Sequence, residues 1–259
     1  MKGRVLIVAG SDSSGGAGVQ ADIKTVTVLG GYAATAITAL TAQDTTGIFG
    51  VLPVPPDFVR RQIDVVLADI GADCIKIGML HDAGIIAAVA ESLATVPDLP
   101  VVLDPVMRST SGAPLLEPSA IEALKRRLIP RARVLTPNLP EAEALLGHPI
   151  AGAEEMPGAA RALTALGARA VVLKGGHLAE GKLRDVVVDG EETYAFESAR
   201  IDTRHTHGTG CSLASAIATG LAQGMALRPA IARAHDFVQR AIRTAPGYGR
   251  GRGPLNHAP

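Results

Sequence analysis

Neither sign of charge is in excess in this sequence. Lys and Arg number 25 against 25 Asp and Glu, and the pI is near 7.1. The electrostatic footprint of a dedicated nucleic-acid or acidic-membrane binder is missing. Long apolar runs are missing too: no uninterrupted stretch approaches the ~18 residues of a transmembrane helix. At the start only Val5 to Ala9 is apolar, below the ~7–15 residues of a secretory leader core. Cysteine is scarce, and Cys74 and Cys211 alone cannot build a disulfide framework. Asparagine is rarer still for its type, at Asn138 and Asn256 only, a compositional hint of heat tolerance. The expectation is a protein of the reducing cytoplasm that handles a small molecule and binds neither nucleic acid nor membrane.

What is present is apolar material for a sizeable core, 47% of 259 residues. No period of 20–50 residues repeats and no low-complexity segment or charge run marks a linker, so residues 1–259 read as one continuous domain. Short β-branched runs alternate with helical spacing. Arg4 to Ala9, Cys74 to Ile77, Val101 to Leu103, Arg133 to Thr136 and Ala170 to Lys174 are predicted strands, each followed by Gly, Asp or Pro. Val59, Ile63, Val66, Leu67 and Ile70 form one helical stripe behind Pro55-Pro56-Asp57, and Val19, Ile23 and Val26 form another. Late in the chain Val186 to Val188, Asp189-Gly190 and Thr193 to Phe196 read as a β-hairpin. The pattern predicts a three-layer α/β/α fold, a mostly parallel sheet with helices on both faces. In such sheets ligands gather at the carboxyl ends of the strands.

Several motifs fall at that edge. Asp202 to Cys211 is a polar loop that runs through Gly208-Thr209-Gly210 into an Ala-rich helix. Glycine lets backbone amides approach a ligand, and a helix N-terminus favours an anion, so a phosphate suits this place. Cys211 is either a small buried hydrophobe or, with its thiolate favoured at a helix start, a base or nucleophile. A second glycine-rich turn, Gly10 to Gly18, follows the first strand and matches neither the P-loop nor the dinucleotide fingerprint. Asn138 and Glu141 have the spacing of a capping box. The same amide and carboxylate can also hold Mg²⁺ through water and phosphate. Asp104, fixed by Pro105, is either a turn residue or a further carboxylate for that metal. Lys174 ends an apolar strand before Gly175-Gly176, where its ammonium either faces solvent or neutralises phosphate. Gln43 offers a paired donor and acceptor that suits a heteroaromatic edge. His205 and His207 have the spacing of a zinc pair, but no third ligand accompanies them and a metal-hydrolase reading is set aside.

Taken in order, Ala9 to Lys24, Asp104-Pro-Val-Met107, Leu135 to Glu143 and His207-Gly-Thr-Gly-Cys211 resemble the hydroxymethylpyrimidine/phosphomethylpyrimidine kinases of thiamine biosynthesis, a branch of the ribokinase-like superfamily. The resemblance runs to the closing Gly253 to His257. It implies two successive phosphorylations by ATP, of 4-amino-5-hydroxymethyl-2-methylpyrimidine and then of its monophosphate. It also implies an anion hole at Gly208, Thr209, Gly210 and Cys211, with Cys211 at the base position where sugar kinases of the superfamily carry an aspartate. Asn138, Glu141 and Asp104 fall to Mg²⁺, and Lys174, Thr209 and Asn138 to the nucleotide phosphates. Gly10, Asp22, Gln43, Met79 and Val106 match the pyrimidine pocket. A homo-oligomer, a dimer by preference, is the expected assembly. Two alternatives stay open: a pyridoxal kinase of the same superfamily, and a catalytically idle pyrimidine-binding regulatory domain. Arg108 to Pro114, small and polar around Gly112, is expected to be a flap that closes over the reacting groups.

Overall fold

A computed structural model describes residues 1–176 and 182–259. Its centre is a nine-stranded sheet: β1 (Arg4–Asp12), β2 (Tyr32–Gln43), β3 (Ile48–Pro53), β4 (Cys74–Ile77), β5 (Val101–Leu103), β6 (Val134–Leu135), β7 (Ala170–Leu173), β8 (Lys182–Asp189) and β9 (Glu192–Ala199). Spatially the order is β3-β2-β1-β4-β5-β6-β7-β8-β9. The six strands from β2 to β7 in that order pair in parallel, while β3, β8 and β9 are antiparallel additions at the two edges. This is the predicted three-layer α/β/α architecture.

Alternation along the strands divides the core. In β1, Leu6 and Val8 face one apolar cluster, and Val5, Ile7 and Ala9 face the other, the period of two that a strand imposes. Helices α2 (Pro56–Asp69), α3 (Ala83–Ala94), α4 (Ile121–Arg127), α5 (Leu139–Leu146) and α6 (Met156–Thr164) contribute to the first cluster. The second is built with α1 (Gly18–Val28), α7 (Thr209–Ala222) and α8 (Leu227–Arg243). The chain winds one way from β1 to β2 and the other way from β4 onward, so a crevice opens between the carboxyl ends of β1 and β4.

The predicted hairpin is present, with Asp189 paired to Glu192 across the turn. Two expectations need correction. An antiparallel pair also occurs early, β2 with β3, which the predicted strands did not include. Ile48–Pro53 carries Gly50 and ends on Pro53, a composition tolerated at a sheet edge because no further strand needs its amides. The stripe Val19, Ile23, Val26 is rotated: Ile23 is exposed, and α1 buries Asp22 and Thr25 instead. A carboxylate fully buried in a helix needs a partner, and that partner shapes the site.

Candidate active site

A cavity of about 830 Å³ lies along the carboxyl edge of the sheet. At its centre Gly208 caps α7 with φ +88, and a side chain there would collide with the carbonyl of Gly16, so only glycine lets the two glycine-rich turns meet. Thr209, Gly210 and Cys211, the first residues of α7, line this cavity. A Cβ on Gly210 would lie 3.2 Å from Lys174 Nζ and 3.6 Å from Asp104 Oδ2, so the helix start and these two charges surround one small space.

Lys174 is not a solvated surface lysine. Its ammonium donates to Asp104 Oδ1 at 2.9 Å, where Thr136 Oγ1 also donates at 3.0 Å. Burial opposes its charge, but Asp104 and Glu141 hold the ammonium above its ordinary pKa. Asn138 and Glu141 form the full capping box: Glu141 N donates to Asn138 Oδ1 at 2.9 Å and Asn138 N to Glu141 Oε2 at 2.8 Å. Burial lifts the Glu141 carboxyl to about 7, against the pull of Lys174. Capping and a place on the cavity wall beside Lys174 and Asp104 therefore coexist in one residue.

The other half of the cavity is walled by Gly10, Met79, Val106 and Gln43. Any Cβ on Gly10 would sit 2.7 Å from the Met79 sulfur, so glycine lets the thioether lie across the end of β1. Asp22, expected on this wall, does not line the cavity. It lies beneath the floor, fully buried, with Oδ2 2.7 Å from Lys76 Nζ and Oδ1 accepting from Ser215 Oγ at 2.7 Å. Lys76 lines the cavity in its place.

Three participants escaped sequence reasoning. Lys76 is the lone charge inside the apolar strand Cys-Ile-Lys-Ile, and that incongruity was the available signal. Asp12 and His207 form the second: His207 Nε2 lies 2.8 Å from Asp12 Oδ2 and 3.1 Å from the Gln43 amide nitrogen, while Nδ1 lies 3.2 Å from Thr110 Oγ1. The histidine flagged for zinc instead ties the first glycine turn, the Gln43 wall and the 108–114 loop to the residue before Gly208. Third, Leu183, Ile201, Leu213, Val238 and Ile242, from β8, the segment after β9, α7 and α8, line the cavity together with Asp185, His235 and Gln239 as a partly apolar recess.

The expectation of a favoured thiolate at Cys211 is not met. Burial pushes the thiol up to about 11, with Lys76 and the Gly18 amide working in the opposite direction. The helix start favours the anion, but removal of water costs more.

The sequence profile of the family described as phosphomethylpyrimidine kinase matches residues 12–256. The chain belongs to this family. A thiamine biosynthesis bifunctional protein, ThiED, of Geobacter sulfurreducens is 54% identical over 99% of this chain, which spans about half (52%) of that longer protein. A hydroxymethylpyrimidine/phosphomethylpyrimidine kinase of Rhizobium meliloti is 46% identical over 97% of this chain and 96% of its own length. Among solved structures, a pyridoxal kinase of Bacillus subtilis in complex with ADP superposes with a TM-score of 0.92 at 38% identity, covering 100% of this chain and 98% of that one. As a phosphomethylpyrimidine kinase family member, the protein is a phosphotransferase with a ribokinase-like fold.

Proposed function

We infer that the protein phosphorylates 4-amino-5-hydroxymethyl-2-methylpyrimidine to its monophosphate, and then that monophosphate to the diphosphate, with ATP as donor, in thiamine diphosphate biosynthesis. Residues 1–259 act as one kinase domain in this reading. One observation carries it beyond the family: the start of α7, Lys174 and Cys211 share one cavity with Gly10, Met79, Val106 and Gln43 and with a partly apolar recess of Leu183, Ile201, Leu213, Val238 and Ile242. The recess suits the nucleoside of ATP, as a relative binds ADP. The wall of Gly10, Met79, Val106 and Gln43 suits a pyrimidine.

Phosphoryl transfer demands positioning and compensation of spreading negative charge more than covalent chemistry. Gly208, Thr209 and Gly210 bring amides to the transferred group, and Lys174 with Thr209 and Asn138 neutralises and orients the phosphates. In the first step the substrate oxygen bonds to the γ-phosphorus, the bond to ADP breaks, and the alcohol proton passes to the Cys211 sulfur. In the second the acceptor is already an ionised phosphate and needs no base. Asp22 takes part through Lys76 and Ser215.

Mg²⁺ fits the donor set. Glu141 and Asp104 are oxygen ligands beside the phosphate space, and Asp104 turns Oδ2 toward Gly210. Among the described residues no three His, Cys, Asp or Glu side chains converge on a metal. A magnesium ion would therefore rest on one or two carboxylates with water and substrate phosphates, its usual mode. Bound there, it would screen phosphate charge; Asn138, Glu141 and Asp104 would hold it.

No helix among the described residues is long and apolar enough to cross a membrane. We place the activity in the cytoplasm, where ATP is supplied. The edge strand β3 exposes Phe49 and Leu52 beside Leu40 of β2, and an apolar edge of this kind calls for a cover; a homodimer through β2 and β3 is our assembly proposal. The pyridoxal kinase reading has one observation in its favour, the TM-score of 0.92, but identity is higher to the pyrimidine kinases. A coupled ADP-release assay with the pyrimidine alcohol, its monophosphate and pyridoxal side by side is the test. ADP release with the first two is expected; turnover of pyridoxal alone overturns the reading, and silence with all three would favour an idle binding domain.

A further inference from the structure

Beneath the cavity floor lies a pair of charges that the phosphate chemistry does not use. Lys76 and Asp22 are both fully buried, 2.7 Å apart, on β4 and α1. Desolvating two charges costs more than their attraction commonly returns, and apolar residues of similar volume often serve stability as well or better. Packing alone gives no reason for this pair to be there.

Its connections point to the cysteine. Asp22 accepts from Ser215 Oγ, and Ser215 stands four residues after Cys211 on α7, one turn along the same helical face. The aspartate thus fixes the lysine head against the face that presents the sulfur. The end of β4 leaves room for it: a Cβ on Gly78 would lie 2.9 Å from Lys76 Nζ. Both Lys76 and Cys211 line the cavity. Gly18, where α1 begins, lines the same cavity.

We propose that Lys76, tethered by Asp22, is a positioning residue for Cys211: its buried ammonium favours, against the cost of burial, the thiolate form of the sulfur that takes the alcohol proton in the first phosphorylation. The assignment rests on the reading of Cys211 as base. In the step itself the O–H bond of the alcohol breaks, an S–H bond forms, the oxygen electron pair bonds to the γ-phosphorus, and the phosphorus–oxygen bond to ADP breaks. Lys76 keeps its protons throughout. Asp22, together with the Cys211 and Asp104 charges, raises the Lys76 ammonium above its ordinary value although burial opposes it. At the sulfur Lys76 outweighs Asp22, and the other charges facing it are Asp104 and, across the cavity, Lys174.

The test replaces the pair with uncharged residues of similar volume, Lys76→Met with Asp22→Asn, so that no lone charge is left buried; Lys76→Met alone is the companion. The first readout is iodoacetamide alkylation of Cys211 against pH, followed by mass spectrometry; Cys74, fully buried in β4, is the internal control. In the double variant alkylation at a fixed pH below the thiol midpoint should slow by about threefold or more, the effect of half a pKa unit. The second readout is the ratio of kcat for the alcohol to kcat for the monophosphate, which should fall by a similar factor. A folded double variant that alkylates at the wild-type rate overturns the proposal, as does the same result in the single variant if the double does not fold. Slower alkylation with an unchanged kcat ratio would instead keep the Lys76–Cys211 link and remove Cys211 from the base role, so the two failures are distinguishable.

Discussion

Lys76–Asp22 and Lys174–Asp104 are both Lys–Asp pairs at the carboxyl edge of one sheet, 2.7 and 2.9 Å between charged atoms, yet water reaches only the second. In the first both side chains have no exposure; in the second the lysine retains 14%. The sealed pair is tied through Ser215 to the helix that carries Cys211. The half-open pair lies beside Gly210 at the start of that helix. Under the proposed function the same two residue types would do different work, one setting the environment of a proton acceptor and the other contributing charge to the transferred group. Sealing is also costly to break, since removing one member of such a pair costs ~3–5 kcal/mol; in the half-open pair Thr136 Oγ1 also donates to Asp104 Oδ1.

The comparison breaks most visibly in step-resolved kinetics. Cys211→Ala, above the sealed pair, should slow phosphorylation of the alcohol by roughly 10²–10⁴-fold, the usual loss of a general base, and slow the monophosphate step far less. Lys174→Met, at the half-open pair, should slow both steps alike by about 10²–10³-fold, because both transfer the same phosphoryl group. Single-turnover rates with each substrate decide. Equal losses in Cys211→Ala would make the cysteine part of the anion hole, and unequal losses in Lys174→Met would remove it from the phosphate role.

Glu141→Gln probes the phosphate side more gently. The amide can still accept from Asn138 N and keep the cap, but it binds a hydrated cation poorly. The magnesium concentration for half-maximal rate should rise several-fold, on the order of one pKa unit of free energy, with little change in Tm. A variant that melts early at unchanged magnesium dependence would reduce Glu141 to its capping role. On the acceptor side, hydrogen exchange should report the 108–114 loop. Within that loop Ser109 N donates to the Ala113 carbonyl and Gly112 N to the Ser109 carbonyl, and its side-chain link to the body is Thr110 to His207. Protection across residues 108–114 on adding the pyrimidine and a non-hydrolysable ATP analogue is expected. Unchanged fast exchange in the ternary complex would make it an ordinary exposed turn.

The two pairs also show what a sequence discloses. Lys174 was legible because it follows the apolar strand Ala-Val-Val-Leu just before two glycines, at the edge where α/β folds bind ligands. Lys76 was not, because Cys-Ile-Lys-Ile scores as a strand whichever way its lysine points, and its partner lies 54 residues earlier on a different element. Asp22 carried a position in the family pattern but no sign that it acts from beneath the floor. The parallel centre of the sheet and the late hairpin were readable from period and from Asp-Gly. β3 was not, since glycine and proline at an exposed edge erase the alternation that marks a strand. His207 had the right prominence and the wrong chemistry. Its partners Asp12, Gln43 and Thr110 meet only through folding.

The smallest expected effect concerns what keeps the acceptor side closed from behind. The last residues return to the site: His207 N donates to the Gly253 carbonyl at 3.1 Å, Leu255 joins the core cluster of α7 and α8, and the buried His257 ring lies 3.2 Å from Ser212 Oγ, next to Cys211. Burial, with the charges of Lys24 and His207 adding, pushes the His257 imidazole down to about 4. An unfolded chain takes up this proton near 6.5, the folded one only near 4, so between these values the unfolded state binds more protons and stability rises with pH. The contribution is complete above about pH 6.5 and is lost as pH falls toward 4. Replacing the ring by an amide that can still reach Ser212, His257→Gln, should remove this one component of the acid sensitivity. Thermal melts from pH 7 to pH 4 should therefore fall less steeply in the variant than in the wild type, by a few degrees at the acid end. Parallel curves would mean that the tail carries no proton-linked hold on α7, and that the acceptor side is closed by its apolar contacts alone.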